Sequence, residues 1–322
     1  MFFYLLFLFL LKFIVYFTIL FIVIVLGVKV WADPIKGVCK CKTKLHGKTA
    51  LVTGGNAGIG LETARDLARR GARVIIASRN NKKSEAAVED IKATTKNPNV
   101  EYRHLDLSTF KSIRRFCEEF NDKEERLDIL VNNAGCAGLK KKTTENGIDL
   151  VTQINYLGPF LLTNLLLKKL TDSKPSRIVI VSSYAWFMSK FDPEDVAGLN
   201  TNGMWTRYCN TKLCNVLWAK ALAKKLPQGI TANSLYPGIV KTDIFDRLPA
   251  IPRKVVLGVI KVLFKTAKEG AQTSIHLSVA PELEDTSGKY YADCRPSAVP
   301  KEAKDDELIE KVWRESVRLT RS

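Results

Sequence analysis

Histidine and sulfur-containing residues are scarce in this sequence, and sites for N-glycosylation are missing. The 322 residues include three histidines, three methionines and seven cysteines, and no Asn-X-Ser/Thr triplet occurs. So few cysteines in so long a chain argue against a small secreted module held together by disulfides. The missing triplets agree with a domain outside the secretory lumen. With 46% hydrophobic and 26% charged residues, the composition excludes wholesale disorder and supports a sizeable core.

Acidic residues are also in the minority. The chain has 33 Asp and Glu against 50 Lys and Arg, which gives a formal net charge of +17. Such an excess indicates an anionic partner, which could be nucleic acid, an acidic membrane surface or a phosphate-bearing ligand. The sequence contains no recognisable nucleic-acid-binding module, and we therefore expect no nucleic-acid partner.

The long hydrophobic run is confined to the N-terminus, where Lys12 is the one charged residue between Phe2 and Val28. As a helix this run exceeds the ~30 Å hydrocarbon core of a bilayer, which predicts an uncleaved membrane anchor over residues 1–31. A cleavable signal peptide is the alternative, but the run is too long and no basic region precedes it. By the positive-inside rule, the lysines that follow the run place the remaining chain in the cytosol. These lysines are Lys29, Lys36, Lys40, Lys42, Lys44 and Lys48, against a single acid, Asp33.

A polar, lysine-rich linker is predicted over residues 32–46, and a single catalytic domain over residues 47–322. Within that domain, short β-branched runs alternate with longer helical patterns, one of which covers residues 147–170. Such alternation is typical of an α/β protein with a doubly wound parallel sheet, Rossmann-like, whose ligands bind beyond the carboxyl ends of the strands. The predicted strands are 49–53, 73–77, 100–105, 128–132, 177–182, 230–235 and 289–291.

A glycine-rich turn follows the first predicted strand and leads directly into a helix. Its spacing is TGxxxGxG, and its candidate cofactor-binding residues are Gly54, Asn56, Gly58, Ile59 and Gly60. Glycines at such a turn let the backbone approach a pyrophosphate, which then lies at the positive end of the helix. Glycine-rich turns without any ligand are common, but the position between strand and helix favours a dinucleotide site.

The end of the second predicted strand bears on the choice of cofactor. NAD enzymes usually place an acid here for the ribose 2′-hydroxyl, whereas this chain has Ser78 and Arg79. Because the Arg79 guanidinium can pair with a 2′-phosphate, the sequence predicts NADP(H). The alternative is an ordinary solvated arginine.

Further polar residues follow the third and fourth predicted strands. Asp106 and Leu107 come after the third strand, and Asn133 and Ala134 after the fourth. All four are predicted cofactor contacts, because the carboxyl ends of parallel strands meet at one edge. Local turn chemistry is the alternative for Asp106 and Asn133.

The candidate chemistry lies later in the chain. Tyr208 and Lys212 are four residues apart and would share one helix face. A nearby ammonium favours the phenolate, so this pair can relay a proton to or from a carbonyl or alcohol oxygen. Ser183, at the end of a predicted strand, could hydrogen-bond the same oxygen. An amphipathic helix face without function is the alternative for the Tyr208 and Lys212 pair alone.

Taken in order, these motifs resemble the short-chain dehydrogenases/reductases, and among them the membrane-anchored retinol dehydrogenases that act as retinal reductases. The glycine motif matches residues 53–60, NNAG matches 132–135 and YxxxK matches 208–212. Asn155 matches the family's structural and catalytic asparagine, and Val240 and Thr242 lie in the segment that contacts the nicotinamide. The resemblance covers residues 46–320.

The resemblance implies an NADP(H) oxidoreductase that acts on an apolar alcohol or aldehyde, retinol or retinal foremost, at the endoplasmic reticulum membrane with the domain facing the cytosol. It implies that Tyr208 donates the proton in reduction, Lys212 holds the nicotinamide ribose, Ser183 binds the substrate oxygen and Asn155 holds a water. A hydroxysteroid dehydrogenase, a general lipid-carbonyl reductase and a catalytically idle lipid-surface scaffold are the alternatives. The oligomeric state stays open.

Two further segments could serve other roles. Cys39 and Cys41 have His46 nearby but no fourth ligand, so no metal site is predicted there. Reversible acylation of the two cysteines is the alternative. Residues 254–265 would form a helix with a broad apolar surface and lysines on one side. This helix is expected either to lie in the membrane interface or to pack as a lid on the core.

Overall fold

A mostly parallel sheet forms the centre of the computed structural model, which describes residues 9–21, 23, 27, 36–240 and 265–321. Its strands are β1 (Thr49–Thr53), β2 (Arg73–Ser78), β3 (Val100–His104), β4 (Ile129–Asn132), β5 (Ser176–Val181), β6 (Ile230–Tyr236), β7 (Tyr290–Ala292) and β8 (Arg295–Pro296). Their order is β3-β2-β1-β4-β5-β6-β7-β8, and only the pairing of β7 with β8 is antiparallel among the described residues. This topology confirms the predicted Rossmann-like α/β fold.

Helices cover both faces of the sheet. The described helices are α1 (residues 9–21), which packs on neither face, and α2 (Gly58–Arg69), α3 (Asn81–Thr95), α4 (Phe110–Lys123), α5 (Leu150–Thr152), α6 (Gly158–Leu165), α7 (Leu167–Asp172), α8 (Met204–Lys225), α9 (Ala267–Val279) and α10 (Asp306–Arg321). Alternate strand residues enter opposite cores: Val52 and Val131 face α2, α3 and α9, whereas Leu51 and Leu130 face α4, α6 and α8. Because both faces are covered, the central strands β1, β2, β4 and β5 are mostly apolar, whereas the edge strand β3 carries Glu101, Arg103 and His104.

The helical segment predicted over residues 147–170 is largely confirmed, and a π-helical turn at Gln153–Leu157 lies between α5 and α6. The N–H of Gly158 bonds to the carbonyl of Gln153, five residues back. Pro159 has no N–H to continue an α-helical ladder, and a Cβ on Gly158 would lie 2.8 Å from the carbonyl oxygen of Leu107. The extra residue of the π turn places the Asn155 side chain against Cys136, just after β4. Such π turns are frequent at functional sites.

The part of the predicted linker that the structure describes, residues 36–46, runs along the domain surface, and we call it the strap. Its residues alternate between the domain and solvent, with Cys39, Cys41 and Leu45 facing inward and the lysines between them exposed. The N–H of Leu45 donates to the carbonyl of Arg70 at 2.9 Å. The strap is therefore bound to the domain along its described length.

Helix α1 makes no such contact with the domain, since all of its side chains are exposed and most are apolar. Within the described residues, no helix combines the length and the apolar character needed to cross a bilayer. Most of the remaining predicted anchor lies outside the described residues. The same is true of Thr242 and of residues 254–264 in the predicted interfacial helix.

Candidate active site

The turn between β1 and α2 is closely fitted to its surroundings. Gly54 and Gly58 have φ angles of +65° and +54°, a region that glycine occupies without strain. A Cβ on Gly60 would lie only 2.3 Å from the carbonyl oxygen of Gly54. Asn56 and Ile59, between these glycines, are half-buried. The N-terminal N–H groups of α2 are thus left open beside a turn without bulky side chains, which fits the phosphates of a dinucleotide.

The residues after β4 hold this turn in place. The side-chain amide of Asn133 donates to the carbonyls of Thr53 and Gly54 at 2.9 and 3.3 Å. The backbone N–H groups of Asn133 and Ala134 donate to Thr53 Oγ1 at 3.0 and 3.1 Å. Because its donors are used in this way, the Asn133 side chain positions the glycine turn.

The ends of β2 and β3 present two different environments. Ser78 is half-buried at the end of β2, whereas Arg79 is exposed and forms no ion pair with any described residue. The Asp106 carboxylate accepts a hydrogen bond from the N–H of Ser108 at 2.9 Å, and Leu107 is buried. Arg79 is therefore free to meet an anionic ligand, while Asp106 stabilises its own turn.

Asn155 ties three elements together from the π-helical turn. Its Oδ1 accepts from the N–H of Cys136 at 2.7 Å, and its Nδ2 donates to the carbonyl of Cys136 at 2.8 Å. The same Nδ2 donates to Thr211 Oγ1 at 3.2 Å, which links the turn to α8. Asn155 thus fixes the spacing between the end of β4 and the helix that carries Tyr208.

Ser183, Tyr208 and Lys212 come together where β5 ends. Ser183 lies close enough to Tyr208 to lower the pKa of its phenol. Lys212 Nζ lies 5.5 Å from the centre of the Tyr208 ring and donates to the carbonyl of Val181 at 3.1 Å. Ser182 points elsewhere, since its hydroxyl donates to the Lys212 carbonyl at 2.6 Å. The structure therefore places Ser183, and not its neighbour, beside the phenol.

Burial shifts both titratable groups of this cluster. Desolvation raises the pKa of Tyr208, and the nearby Ser183 side chain acts in the opposite direction. Desolvation lowers the pKa of Lys212 to about 8. At neutral pH the phenol therefore keeps its proton while the ammonium is mostly charged, and the cation would stabilise a phenolate. This arrangement can give a proton to a carbonyl oxygen and take one from an alcohol.

The segment after β6 meets the glycine turn. Val240 pairs with Lys265 in an isolated bridge. A Cβ on Gly270 would lie 2.5 Å from Val240 Cγ2 and 3.2 Å from Ile59 Cγ1, so these two side chains lie close to each other. Two of the predicted cofactor contacts, which are far apart in sequence, are thus brought to one side of the site.

Sequence reasoning did not assign an aromatic cluster beside Ser183. The ring centre of Tyr184 lies 5.2 Å from that of Trp186, 5.3 Å from Phe187 and 5.9 Å from Tyr236. The signal was present as three aromatic residues within the four that follow Ser183. Tyr236, which precedes the Val240 segment, joins them only in the folded chain.

Known proteins resemble this chain over most of its length. Residues 48–251 match the family described as short chain dehydrogenase. Retinol dehydrogenase 13 of Homo sapiens is 43% identical over 291 residues, which cover 88% of this chain and 87% of that protein. Retinol dehydrogenase 12 of Bos taurus is 43% identical over 288 residues, covering 88% and 89%.

Solved structures show the same architecture. An uncharacterised protein from Mycobacterium paratuberculosis superposes with a TM-score of 0.70 at 28% identity, covering 87% of this chain and 96% of that one. A short chain dehydrogenase from Shigella flexneri, solved in complex with NADP, gives a TM-score of 0.62 at 23% identity, with 79% and 100% covered. At 23% identity, the similarity to the Shigella flexneri structure shows a shared fold alone.

Replacing Tyr208 by Phe tests the proton relay. The substitution keeps the ring and removes the proton that the phenol would donate, so turnover of a carbonyl substrate should fall by ~10²-fold or more. The measurement is the steady-state rate of nicotinamide oxidation by the detergent-solubilised protein.

Tyr156→Phe is the matched control, because the Tyr156 hydroxyl is buried against Ser316 Oγ at 2.6 Å, in the core. It should leave turnover within ~2-fold, since it removes no donor from the relay. Near-normal turnover of a folded Tyr208→Phe protein would show that the phenol is not the proton donor.

Proposed function

Because the chain belongs to the short-chain dehydrogenase family, in the group that contains the retinol dehydrogenases, we propose that it is an NADP(H)-dependent oxidoreductase of apolar alcohols and aldehydes. Retinol and retinal are its leading substrate pair. When bound, the nicotinamide supplies or accepts the hydride. The protein supplies the binding surface, the orientation of the carbonyl and the proton.

The observation that carries the choice of substrate class is an apolar surface around Ser183 and Tyr208. Five large hydrophobic side chains are exposed there. They are Tyr184, Phe187, Met188, Met204 and Trp205. The ring centre of Trp205 lies 6.2 Å from that of Tyr208, so this surface reaches the proposed proton donor. Clustered exposed hydrophobic side chains mark a binding site, and they fit a long apolar substrate better than a small polar one.

Each polar group of the site has one task in this proposal. The Ser183 hydroxyl would hold the substrate oxygen beside the Tyr208 phenol, which donates the proton in reduction. Lys212 would hold the nicotinamide ribose and favour the phenolate that remains. Asn155 would hold a water through which that proton is replaced. The glycine turn and the start of α2 would receive the pyrophosphate.

Preference for NADP(H) follows from the end of β2. Ser78 stands where an acid would repel a 2′-phosphate, and the exposed Arg79 guanidinium can form a two-point contact with that phosphate. An acid is the usual partner of the NAD ribose at this position.

Arg79→Ala tests the cofactor preference. Loss of a charge-assisted contact worth ~1.5–3 kcal/mol should raise KM for NADPH ~10-fold or more and leave KM for NADH nearly unchanged. The control is Lys82→Ala, which removes an exposed charge from the first turn of α3. An equal effect of Arg79→Ala on both nucleotides would remove the proposed role.

The substrate class is tested by a panel of retinal, steroid ketones and medium-chain aldehydes with NADPH. Phe187→Ser should raise KM for retinal by ~10-fold, because burying a phenyl ring against substrate is worth ~1.5–3 kcal/mol. Val38→Ser, at an exposed apolar position on the strap, is the matched control. Faster reduction of steroid ketones than of retinal would favour a hydroxysteroid dehydrogenase. No oxidation of NADPH with any carbonyl would leave only the scaffold alternative.

We also propose that residues 1–31 anchor the protein in the endoplasmic reticulum membrane, with the catalytic domain in the cytosol. The apolar side chains of α1 are exposed and contact no described residue outside the helix, and a helix that is apolar all round needs an apolar environment. The lysines that follow favour the cytosolic side. A second membrane contact through residues 254–265 belongs to this proposal.

Protease added to intact microsomes tests the orientation. The catalytic domain should be digested without detergent, because it lies outside the vesicles, whereas a luminal marker protein should survive. Immunoblotting with an antibody against the C-terminal helix reports the outcome. Protection of the domain until detergent is added would place it in the lumen and overturn the orientation.

A further inference from the structure

Outside the candidate active site, two cysteines of the strap face a histidine of α9. The sulfur atoms of Cys39 and Cys41 and a ring nitrogen of His276 all lie within 4.8 Å of one another. We propose that these three residues form a zinc site that fastens the strap to α9. The sequence suggested His46 as the nearby histidine. In the structure, however, the His46 ring lies over Gly71, and the third ligand comes from a position more than two hundred residues away.

The fold builds this site through the extended course of the strap. In an extended segment, residues two apart point to the same side, so Cys39 and Cys41 both face the domain. The N–H of Cys39 donates to Gln272 Oε1 at 3.1 Å, one helical turn before His276 on α9. The Arg70 guanidinium donates to the carbonyl of Cys41 at 2.7 Å. Both cysteines are therefore held in position by contacts that do not involve a metal.

The chemistry of the three groups suits a thiophilic cation. A neutral imidazole nitrogen coordinates metal ions, and His276 places one within 4.8 Å of both sulfur atoms. The His276 ring packs against Tyr291, with the ring centres 6.4 Å apart, so the imidazole is held beside the two cysteines by a contact that involves no metal.

The two thiols complete a Cys₂His set. Binding of Zn²⁺ would displace one proton from each thiol into solvent, which leaves two thiolates that neutralise the cation. A tetrahedral ion would keep one further position, and water can reach it because both cysteines are only half-buried. Soft sulfur and imidazole ligands select zinc over calcium or magnesium.

The consequence is structural. Two ligands lie on the strap and one lies on α9, so the ion would close a long loop of the chain and restrict separation of the strap from the domain. The three ligands belong to elements other than those that carry Ser183, Tyr208 and Lys212. The site therefore does not depend on the proposed substrate or cofactor.

Cobalt is the probe for this site, because a thiolate bound to Co²⁺ absorbs in the near ultraviolet. Full-length protein in detergent, stripped with a chelator under a phosphine reductant, should bind about one Co²⁺ per chain with such a band. Addition of Zn²⁺ should abolish the band. Cys41→Ser and His276→Gln should each weaken binding by more than ~10-fold.

His46→Gln and Cys136→Ser are the matched controls, since they remove an imidazole and a thiol outside the cluster, and they should bind Co²⁺ as the unmodified protein does. Binding of NADPH by every variant checks that each is folded. The absence of a thiolate band in the unmodified protein, or its persistence in Cys41→Ser, would overturn the proposal.

Trypsin gives a second readout that does not depend on cobalt. Lys40, Lys42 and Lys44 are exposed on the strap, so cleavage there reports how often the strap leaves the domain. Zn²⁺ should slow this cleavage by ~10-fold or more in the unmodified protein and have no effect in Cys41→Ser. Equal cleavage with and without Zn²⁺ would show that the ion does not fasten the strap.

Discussion

The buried ammonium of Lys212 sets the strictest condition on this structure. Its side chain is only 4% exposed, so burial works against its charge and lowers its pKa to about 8. The carbonyl of Val181, at 3.1 Å, accepts one of its hydrogen bonds, and the ring of Tyr208 lies next to it. A charge placed in this way is tolerated only where helix and strand ends are held rigidly. The hydroxyl of Ser182, bonded to the Lys212 carbonyl, supplies one such constraint.

The remaining constraints come from the close approach of several chain segments at one edge of the sheet. Gly60 lies too close to the carbonyl of Gly54 to carry a side chain, and Gly158 approaches Leu107 at the π-helical turn. The Asn155 and Asn133 amides then bond these segments to one another. Small residues and bridging amides thus form one framework, in which a cofactor and the proton relay would be positioned together.

Much of the fold was predictable because its signals are local. Every predicted strand lies within one residue of an observed one at each end, since buried parallel strands are short apolar runs between turns. The π turn within the helical segment 147–170 was not predicted, because an apolar helical pattern does not reveal one inserted residue. Pro159 gave a partial hint, but the contact of Gly158 with Leu107 joins segments about fifty residues apart. The aromatic cluster around Ser183 was visible as a run of rings, yet Tyr236 reaches it only through the sheet.

By itself, the sequence determined the alternation of strands and helices, the glycine turn, the four-residue spacing of Tyr208 and Lys212 and the apolar N-terminal run. Each of these depends on residues that are neighbours along the chain, where periodicity and turn chemistry act directly. The tertiary structure decided which serine faces the phenol, that Asn133 serves the glycine turn and that His276 meets Cys39 and Cys41. These arrangements depend on packing between distant segments, where burial and close contact select one partner among many of similar type.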